Sequence, residues 1–489
     1  MSKFNKVKSK TPTINKAGGR SFKQTDKLEF VSILLTSFLG KDFYRDGDET
    51  MERITELVGG LKDKKFAAKA AIYARTKFGM RSVSHVVAAD LADSIGGQIW
   101  AKSFYNKVIN RPDDIFEILA RYHSETDKNF THAMRKGFAT YLGSLNEYKL
   151  AKYKGEGKEF SMIDTANLIH PKATDALTKL MTGKLKSAET WEAKLSKAGQ
   201  VAKDETEKEE LKAEVWKELV ISGKIGYFAL LRNLRNIIEQ APEVLDKALE
   251  LLVDEDAIKS SLVLPFRFQT AYGEIEKLSG KDARLTLKAL NKALDISCSN
   301  CPKFEGDTLV VLDDSGSMGN SGIDSKEPFA IGSLFAAVLV KSNDCDFMMF
   351  SDDARYLSLN SEDSVTSLIS KMDAHRTSNG TNFQAIFPAA GKTKYNRVII
   401  LSDMQGWMAA GDGYFNTGGA PTKQFEAYKK LTGATPKIYS FDLRSYGTMQ
   451  FPQPEVYALA GFSDKIFDVM EMLETDKNAL INEIEKIEL

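Results

Sequence analysis

Apolar residues recur at the spacing of one helix face from Leu28 onward, where Val31, Leu34, Leu35, Phe38 and Leu39 line up along a single stripe. The same period predicts helices over 47–60, 63–78, 83–94, 99–109, 112–122, 130–143 and 161–169. Further ones are predicted near 174–182, 203–221, 225–238, 242–252, 255–261, 265–278 and 280–295. Almost no two-residue alternation occurs before residue 300. Closely spaced amphipathic helices of this kind pack as antiparallel pairs and stack into a solenoid. No exact repeat accompanies the pattern, so the helical-repeat reading rests on periodicity. Residues 1–24 are polar and basic and read as an arm or extended lead-in. Residues 183–214 are rich in lysine and glutamate and read as a solvated helix pair or an insertion.

At residue 300 the texture changes. Short apolar runs at 308–313 (TLVVLD), 346–350, 397–402 (RVIILS) and 437–442 (KIYSFD) predict strands, with another near 466–470. Helical patterns lie between and after them at 327–342, 363–374, 421–432 and 475–488. Alternating strands and helices predict a doubly wound α/β domain with a mostly parallel sheet, whose buried strands read as continuous apolar runs. The expected organisation is therefore an arm (1–24), an all-α helical-repeat domain (25–300) and an α/β domain (301–489).

Composition adds three points. The 489 residues carry 67 Lys and Arg against 67 Asp and Glu, but the balance is uneven. Residues 1–300 hold 50 basic against 41 acidic side chains, and residues 301–489 hold 17 against 26. A basic front permits polyanion binding, and the acidic back suggests a different partner. Three cysteines exclude a disulfide scaffold; Cys298 and Cys301 alone lack the second pair a zinc site needs, and Cys345 reads as a strand residue. The basic N-terminus has no apolar run behind it, and the apolar stretch from Phe30 to Gly40 is too short for a bilayer, so a soluble cytoplasmic protein is expected.

The strongest chemical signal is Asp313-Asp314-Ser315-Gly316-Ser317, just past the C-terminal end of the first α/β strand, the edge where such sheets bind ligands. One carboxylate and two hydroxyls on a single loop are hard oxygen donors suited to Mg2+. Thr381, in Gly380-Thr381-Asn382, offers another hydroxyl, and Asp403 ends the RVIILS strand with a second carboxylate. Metal-dependent hydrolysis is the competing reading, but two-metal chemistry requires several bridging carboxylates and few are present. Asp314 should alternate away from Asp313.

Asp313, Ser315, Ser317, Thr381 and Asp403, in that order, resemble the metal-ion-dependent adhesion site of von Willebrand factor A domains, over about residues 302–489. The resemblance implies direct ligation by Ser315 and Ser317, with Thr381, Asp313 and Asp403 bound directly or through water. One position would stay open for a partner's carboxylate. Ahead of it lie Asn15-Lys16-Ala17-Gly18-Gly19, Tyr73-Ala74-Arg75 with Arg81, Lys152-Tyr153-Lys154 and Ile169-His170-Pro171-Lys172. Thr190-Trp191-Glu192, residues 229–236 (ALLRNLRN) and Leu264-Pro265-Phe266-Arg267-Phe268 follow. In this order they resemble the TROVE module of Ro60-type RNA-binding proteins, closest to bacterial and phage members. That resemblance implies a monomeric ring of HEAT-like repeats closed by the A domain. It also implies binding of small structured Y-like RNA and of single-stranded ends of misfolded RNA, in some members beside an exoribonuclease, without enzymatic activity.

Lys149, Lys152, Lys154 and Lys158 with Tyr148 and Tyr153 form a cationic cluster with aromatics, suited to phosphates and to stacked bases; the other reading is ordinary solvated lysines. Lys152-Tyr153-Lys154 maps onto the family's RNA-contacting segment, in which an arginine stands where this chain has Glu156. His170, with Lys172 two residues on, corresponds to a histidine near the family's RNA surface. Arg135 and Lys136 would extend the patch. Arg232, Arg235 and Asn236 share one helix face, for phosphate or for acidic groups of the next repeat. Two functions stand against each other: an RNA-binding scaffold with a divalent metal in its A domain, and a metal-dependent protein-adhesion scaffold.

Overall fold

A computed structural model of the chain describes residues 12–15, 17, 19–23, 26–36, 47–155, 158–186, 191–321, 327–406, 420–444, 448–451, 456–460, 467, 470–471, 473–474 and 479–489. Glu156 lies outside them, as do Lys16, Gly18 and Thr190 of the family-like motifs. The chain folds into two compact units that do not follow the order 25–300 then 301–489. One takes residues 25–193 together with 472–489; the other takes 6–24 together with 194–471.

The first unit is helical. Its helices include Asp26–Thr36, Gly47–Gly60, Lys64–Thr76, Ser82–Asp90, Ala101–Lys107, Asp113–Thr126, His132–Gly143, Glu147–Lys152, Met162–Ile169 and Asp175–Met181, and the C-terminal helix Ala479–Glu485 joins them. Several starts carry the side-chain caps that relieve unpaired N-terminal amides, as Asp63, Thr131 and Thr174 do. Ser161 and Asp164 form a reciprocal capping box. Periodicity located these helices because each buries one stripe. It missed Glu147–Lys152, which is too short to show a period and buries only Leu150.

Asp114 ties three of these helices together. Its fully buried carboxylate accepts two bonds from the Arg75 guanidinium (2.9 and 3.0 Å). It also accepts from Arg81 Nε (3.2 Å) and contacts His85 Nε2 (3.1 Å). The backbone amides of Asn110 and Arg111 complete the set. Arg75 and Arg81, which belong to a family-like motif, are thus structural residues here.

The second unit holds most of Trp191–Val201 and the helices Glu205–Ile221, Tyr227–Gln240, Leu245–Leu252, Glu255–Ser261, Phe268–Glu276, Lys281–Ser297, Pro328–Ser342, Val365–Ala374, Ile386–Ala390 and Ala420–Thr432, and two sheets. The lysine- and glutamate-rich stretch is a helix pair, with Lys194 on Glu218 at 2.7 Å. The strands are β1 (Pro12–Ile14), β2 (Arg20–Lys23), β3 (Thr308–Asp313), β4 (Cys345–Phe350), β5 (Ala354–Tyr356), β6 (Arg397–Ser402), β7 (Lys437–Asp442), β8 (Thr448–Met449) and β9 (Val456–Ala460). The large sheet runs β5-β4-β3-β6-β7-β9, parallel except for the antiparallel edge strand β5. Every residue of β3 and β6 is buried, as a sheet covered on both faces requires. Leu309 and Val311 pack with Phe383, Phe387 and Phe425 on one face. On the other, Leu312 lies against Gly332 of the helix Pro328–Ser342, where an added Cβ would meet its Cδ1 at 2.7 Å.

Two expectations are corrected. The strand expected near 466–470 is replaced by β9, and Phe467 and Met470 are helical. Residues three apart share a helix face but lie on opposite faces of a strand, and both of these side chains are buried. Among the described residues of the arm, β1 and β2 form a hairpin: they pair antiparallel, and β2 pairs in turn with β8 through Phe22 and Met449. Three- and four-residue strands are too short to stand out in a hydrophobicity pattern.

Candidate metal centre and basic surface

Parallel register brings the candidate metal residues to one sheet edge. β3 and β6 lie side by side, Leu312 opposite Leu401, so Asp313 and Asp403 emerge from adjacent strand ends. Asp313 Oδ1 accepts the Ser315 amide (2.9 Å), which folds the loop back on itself, and Oδ2 accepts the Ser402 hydroxyl (2.6 Å). Ser315 Oγ and Ser317 Oγ lie 3.3 Å apart. The loop carrying Thr381 is laid across this one: Gly316 N donates to Asn379 O (3.0 Å) and Ser378 N to Asp314 O (3.1 Å). Thr381 is buried one residue beyond Gly380. Asp314 points elsewhere, to Arg355 (2.6 Å) and the Thr377 amide (2.8 Å), as alternation required.

Asp313 and Asp403 are both fully buried. Burial, then the neighbouring Asp403 carboxyl, pushes Asp313 up to about 7. Burial also raises Asp403, with a hydrogen bond from Ser317 and the Arg444 charge working the other way. Asp403 Oδ2 is buried without a hydrogen-bond partner. Two dehydrated carboxyls, one with an orphaned oxygen, and three hydroxyls on adjoining loops are a donor set that fits a small hard cation. Among the described residues, no group of three or more histidine, cysteine or carboxylate side chains is placed to hold a metal, so hydroxyls must supply much of any ligation here.

Two of the five described non-glycine residues with positive φ sit at this edge, Ser378 at 56° and Met404 at 59°. Left-handed backbone in a residue with a Cβ costs about 1 kcal/mol and persists where surroundings over-determine it, often at functional sites. No local pattern singles out either residue, nor Arg444, whose side chain reaches Glu327 at 2.6 Å.

The basic candidates divide between the units. In the first, Arg135 and Lys136 are exposed on the helix His132–Gly143, and Lys149 and Lys152 on Glu147–Lys152; Lys154 follows, half-buried. Lys152 Nζ stands over the rings of Tyr148 (5.9 Å) and Tyr153 (5.8 Å), and Arg111 lies over Tyr153 at 5.1 Å. Lys158 pairs with Glu117. His170 ends the helix Met162–Ile169 in left-handed backbone, φ 50°, and both it and Lys172 are exposed. In the second unit, Arg232 is exposed on Tyr227–Gln240, whereas Arg235 is engaged by Glu239 (3.0 Å) and Glu274 (3.1 Å). Asn236 donates to Asn233 on its own helix. Cys298 and Cys301 are buried and form no disulfide, and Cys345 is half-buried on β4.

The TROVE domain family model matches residues 179–309. Telomerase protein component 1 of Mus musculus is 22% identical across 54% of this chain and 13% of that protein. The Rattus norvegicus protein of the same name is 21% identical over the same shares. The chain thus spans about an eighth of the length of these curated relatives. The crystal structure of the Deinococcus radiodurans RO (RSR) protein shares the fold, with a TM-score of 0.63 over 94% of this chain and 100% of that one, at 18% identity. No helix among the described residues is long and apolar enough to cross a membrane.

Proposed function

We propose that this protein is an RNA-binding scaffold of the Ro60 type, taking small structured non-coding RNA and single-stranded RNA ends. The observation that carries the reading is the cation–aromatic surface of exposed Lys149, Lys152, Tyr148 and Arg111 with half-buried Tyr153. Lysines supply salt-sensitive attraction to phosphate, and tyrosine faces already held beside cations can take a base. The TROVE match at 179–309 and the RO-like fold support it. Arg135, Lys136, Lys154, His170, Lys172 and Arg232 would extend the RNA surface. Arg235 would contribute only by leaving two glutamates.

The α/β domain would hold one divalent cation, Mg2+ by its oxygen donors, through Asp313, Ser315, Ser317, Thr381 and Asp403. The cation would offer a Lewis-acidic position to a partner's carboxylate. The chain's own residues dehydrate the site, set the hydroxyls and present two carboxyls at one sheet edge. Two carboxyls are few for the bridged two-metal site that hydrolysis would require, so the role proposed is adhesion rather than hydrolysis.

The test is a filter-binding titration of the full chain against RNA with a single-stranded 3′ tail, at low and moderate salt, with and without EDTA. Salt-sensitive, EDTA-insensitive binding with intact RNA recovered is expected. No binding at low salt overturns the RNA reading in favour of a protein-adhesion scaffold.

A further inference from the structure

The loop that carries Asp403 is held from outside by the N-terminal hairpin. Asn15 is 5% exposed, and its Nδ2 donates to Gly406 O at 2.8 Å, across 391 residues of sequence. Its Oδ1 accepts the amides of Ala17 (3.1 Å) and Gly19 (2.8 Å), fixing the turn between β1 and β2. The Ala17 amide also reaches Gln405 Oε1 at 3.3 Å. Gln405 is fully buried; its amide donates to Asp403 Oδ1 (3.1 Å) and its Nε2 to Asp403 O (3.2 Å). A second route runs through β8, which pairs with β2: Gln450, next after it, donates to Met404 O at 3.0 Å. The hairpin and the β8 segment paired with it therefore both hold residues 404–406, around the strained Met404. The loop has little room to yield, since a Cβ on Gly406 would meet Phe383 Cδ2 at 2.5 Å.

We infer that the N-terminal hairpin is an in-chain clamp on the cation site, with Asn15 the positioning residue that sets the Asp403 carboxylate through the Gly406 carbonyl. It rests on the cation reading proposed above. A left-handed residue beside a ligand would relax toward ordinary backbone if released, turning Asp403 away. Removal of an outer partner that orients a metal ligand lowers metal affinity about 10- to 100-fold.

Asn15→Asp isolates the clamp. It keeps the oxygen that accepts from Ala17 and Gly19 and replaces the donor to Gly406 with an oxygen that cannot donate, adding a negative charge whose general attraction would strengthen rather than weaken cation binding. The full chain is titrated with Mn2+, free ion being counted by electron paramagnetic resonance, beside Asp313→Ala. The wild type should bind one Mn2+, Asp313→Ala none, and folded Asn15→Asp about tenfold more weakly. Equal affinity of Asn15→Asp and wild type overturns the clamp and leaves the cation site standing. A wild type as silent as Asp313→Ala overturns the cation site and the clamp with it. A measurement on the wild type alone covers a variant that does not fold. Coupling is reciprocal, so Mg2+ should slow hydrogen exchange at the Ala17 and Gly19 amides as well as at 404–406. No slowing at Ala17 and Gly19 overturns the clamp.

Discussion

At the scale of single residues, the buried charges divide into a satisfied set and an unsatisfied one. Asp114 is satisfied. Burial alone would raise its carboxyl, but the bonds from His85 and Arg75 outweigh this and hold it below the usual carboxylate range. A carboxyl depressed in the folded state contributes stability that is complete above its unfolded value near 4, and is lost as pH falls through the lower folded value. Asp114→Asn should therefore lower the unfolding free energy at pH 7 by about 3–5 kcal/mol, read as a lower urea midpoint, because Arg75 stays buried beside a neutral amide. Its midpoint should also fall less than that of the wild type between pH 5 and 3. Parallel loss in both proteins would show that Asp114 is not the titrating group. Asp403 is the unsatisfied one: its Oδ2 is buried without a hydrogen-bond partner, whereas both oxygens of the neighbouring Asp313 are bonded, and that difference favours the cation site proposed for this sheet edge.

At the scale of elements, close approach decides signs that propensity alone gets wrong. Gly137 lies inside the helix His132–Gly143, where alanine would ordinarily stabilise by about 1 kcal/mol. A Cβ there would meet Tyr105 Cβ at 2.4 Å and Lys102 O at 2.7 Å, both on the helix Ala101–Lys107. Backbone cannot swing aside as a long side chain can. Gly137→Ala should destabilise by about 1–3 kcal/mol, read as a lower thermal midpoint. A higher midpoint would mean the two helices slide apart freely. These helices were legible because burial repeats along them every third or fourth residue. The crossing that makes Gly137 necessary was not, since a glycine in a helical pattern looks the same whether or not another helix lies on it.

At the scale of the whole molecule, each compact unit joins segments that are distant in the chain. Residues 6–24 pack with 194–471, and 472–489 pack with 25–193. In the latter, Lys69 binds Glu485 at 3.0 Å and Lys107 binds the Glu488 carbonyl at 2.7 Å. The lysine–tyrosine surface and the proposed cation site fall in different units, so their proposed functions should separate. Lys152→Ala with Lys154→Ala should weaken RNA binding and flatten its log–log salt dependence by about 0.7 for each phosphate no longer neutralised. Its Mn2+ binding should stay as in the wild type. Asp313→Ala should do the reverse. Loss of both activities in either folded variant would contradict two independent sites.

What the sequence alone determined is what short-range periodicity encodes: the long helices, the buried parallel strands, the change of architecture near residue 300, and the order Asp313, Ser315, Ser317, Thr381, Asp403. Side chains that repeat at 3.6 or 2 residues announce which face is buried without reference to any partner. Tertiary structure decided the rest. It spent Arg75 and Arg81 on Asp114 and drew Arg235 to Glu239 and Glu274. It left the lysines at 149 and 152 exposed and set Asn15 against Gly406. An arginine or asparagine has the same donors wherever it stands. Which acceptor it meets depends on chain segments tens to hundreds of residues away, and no local pattern carries that information.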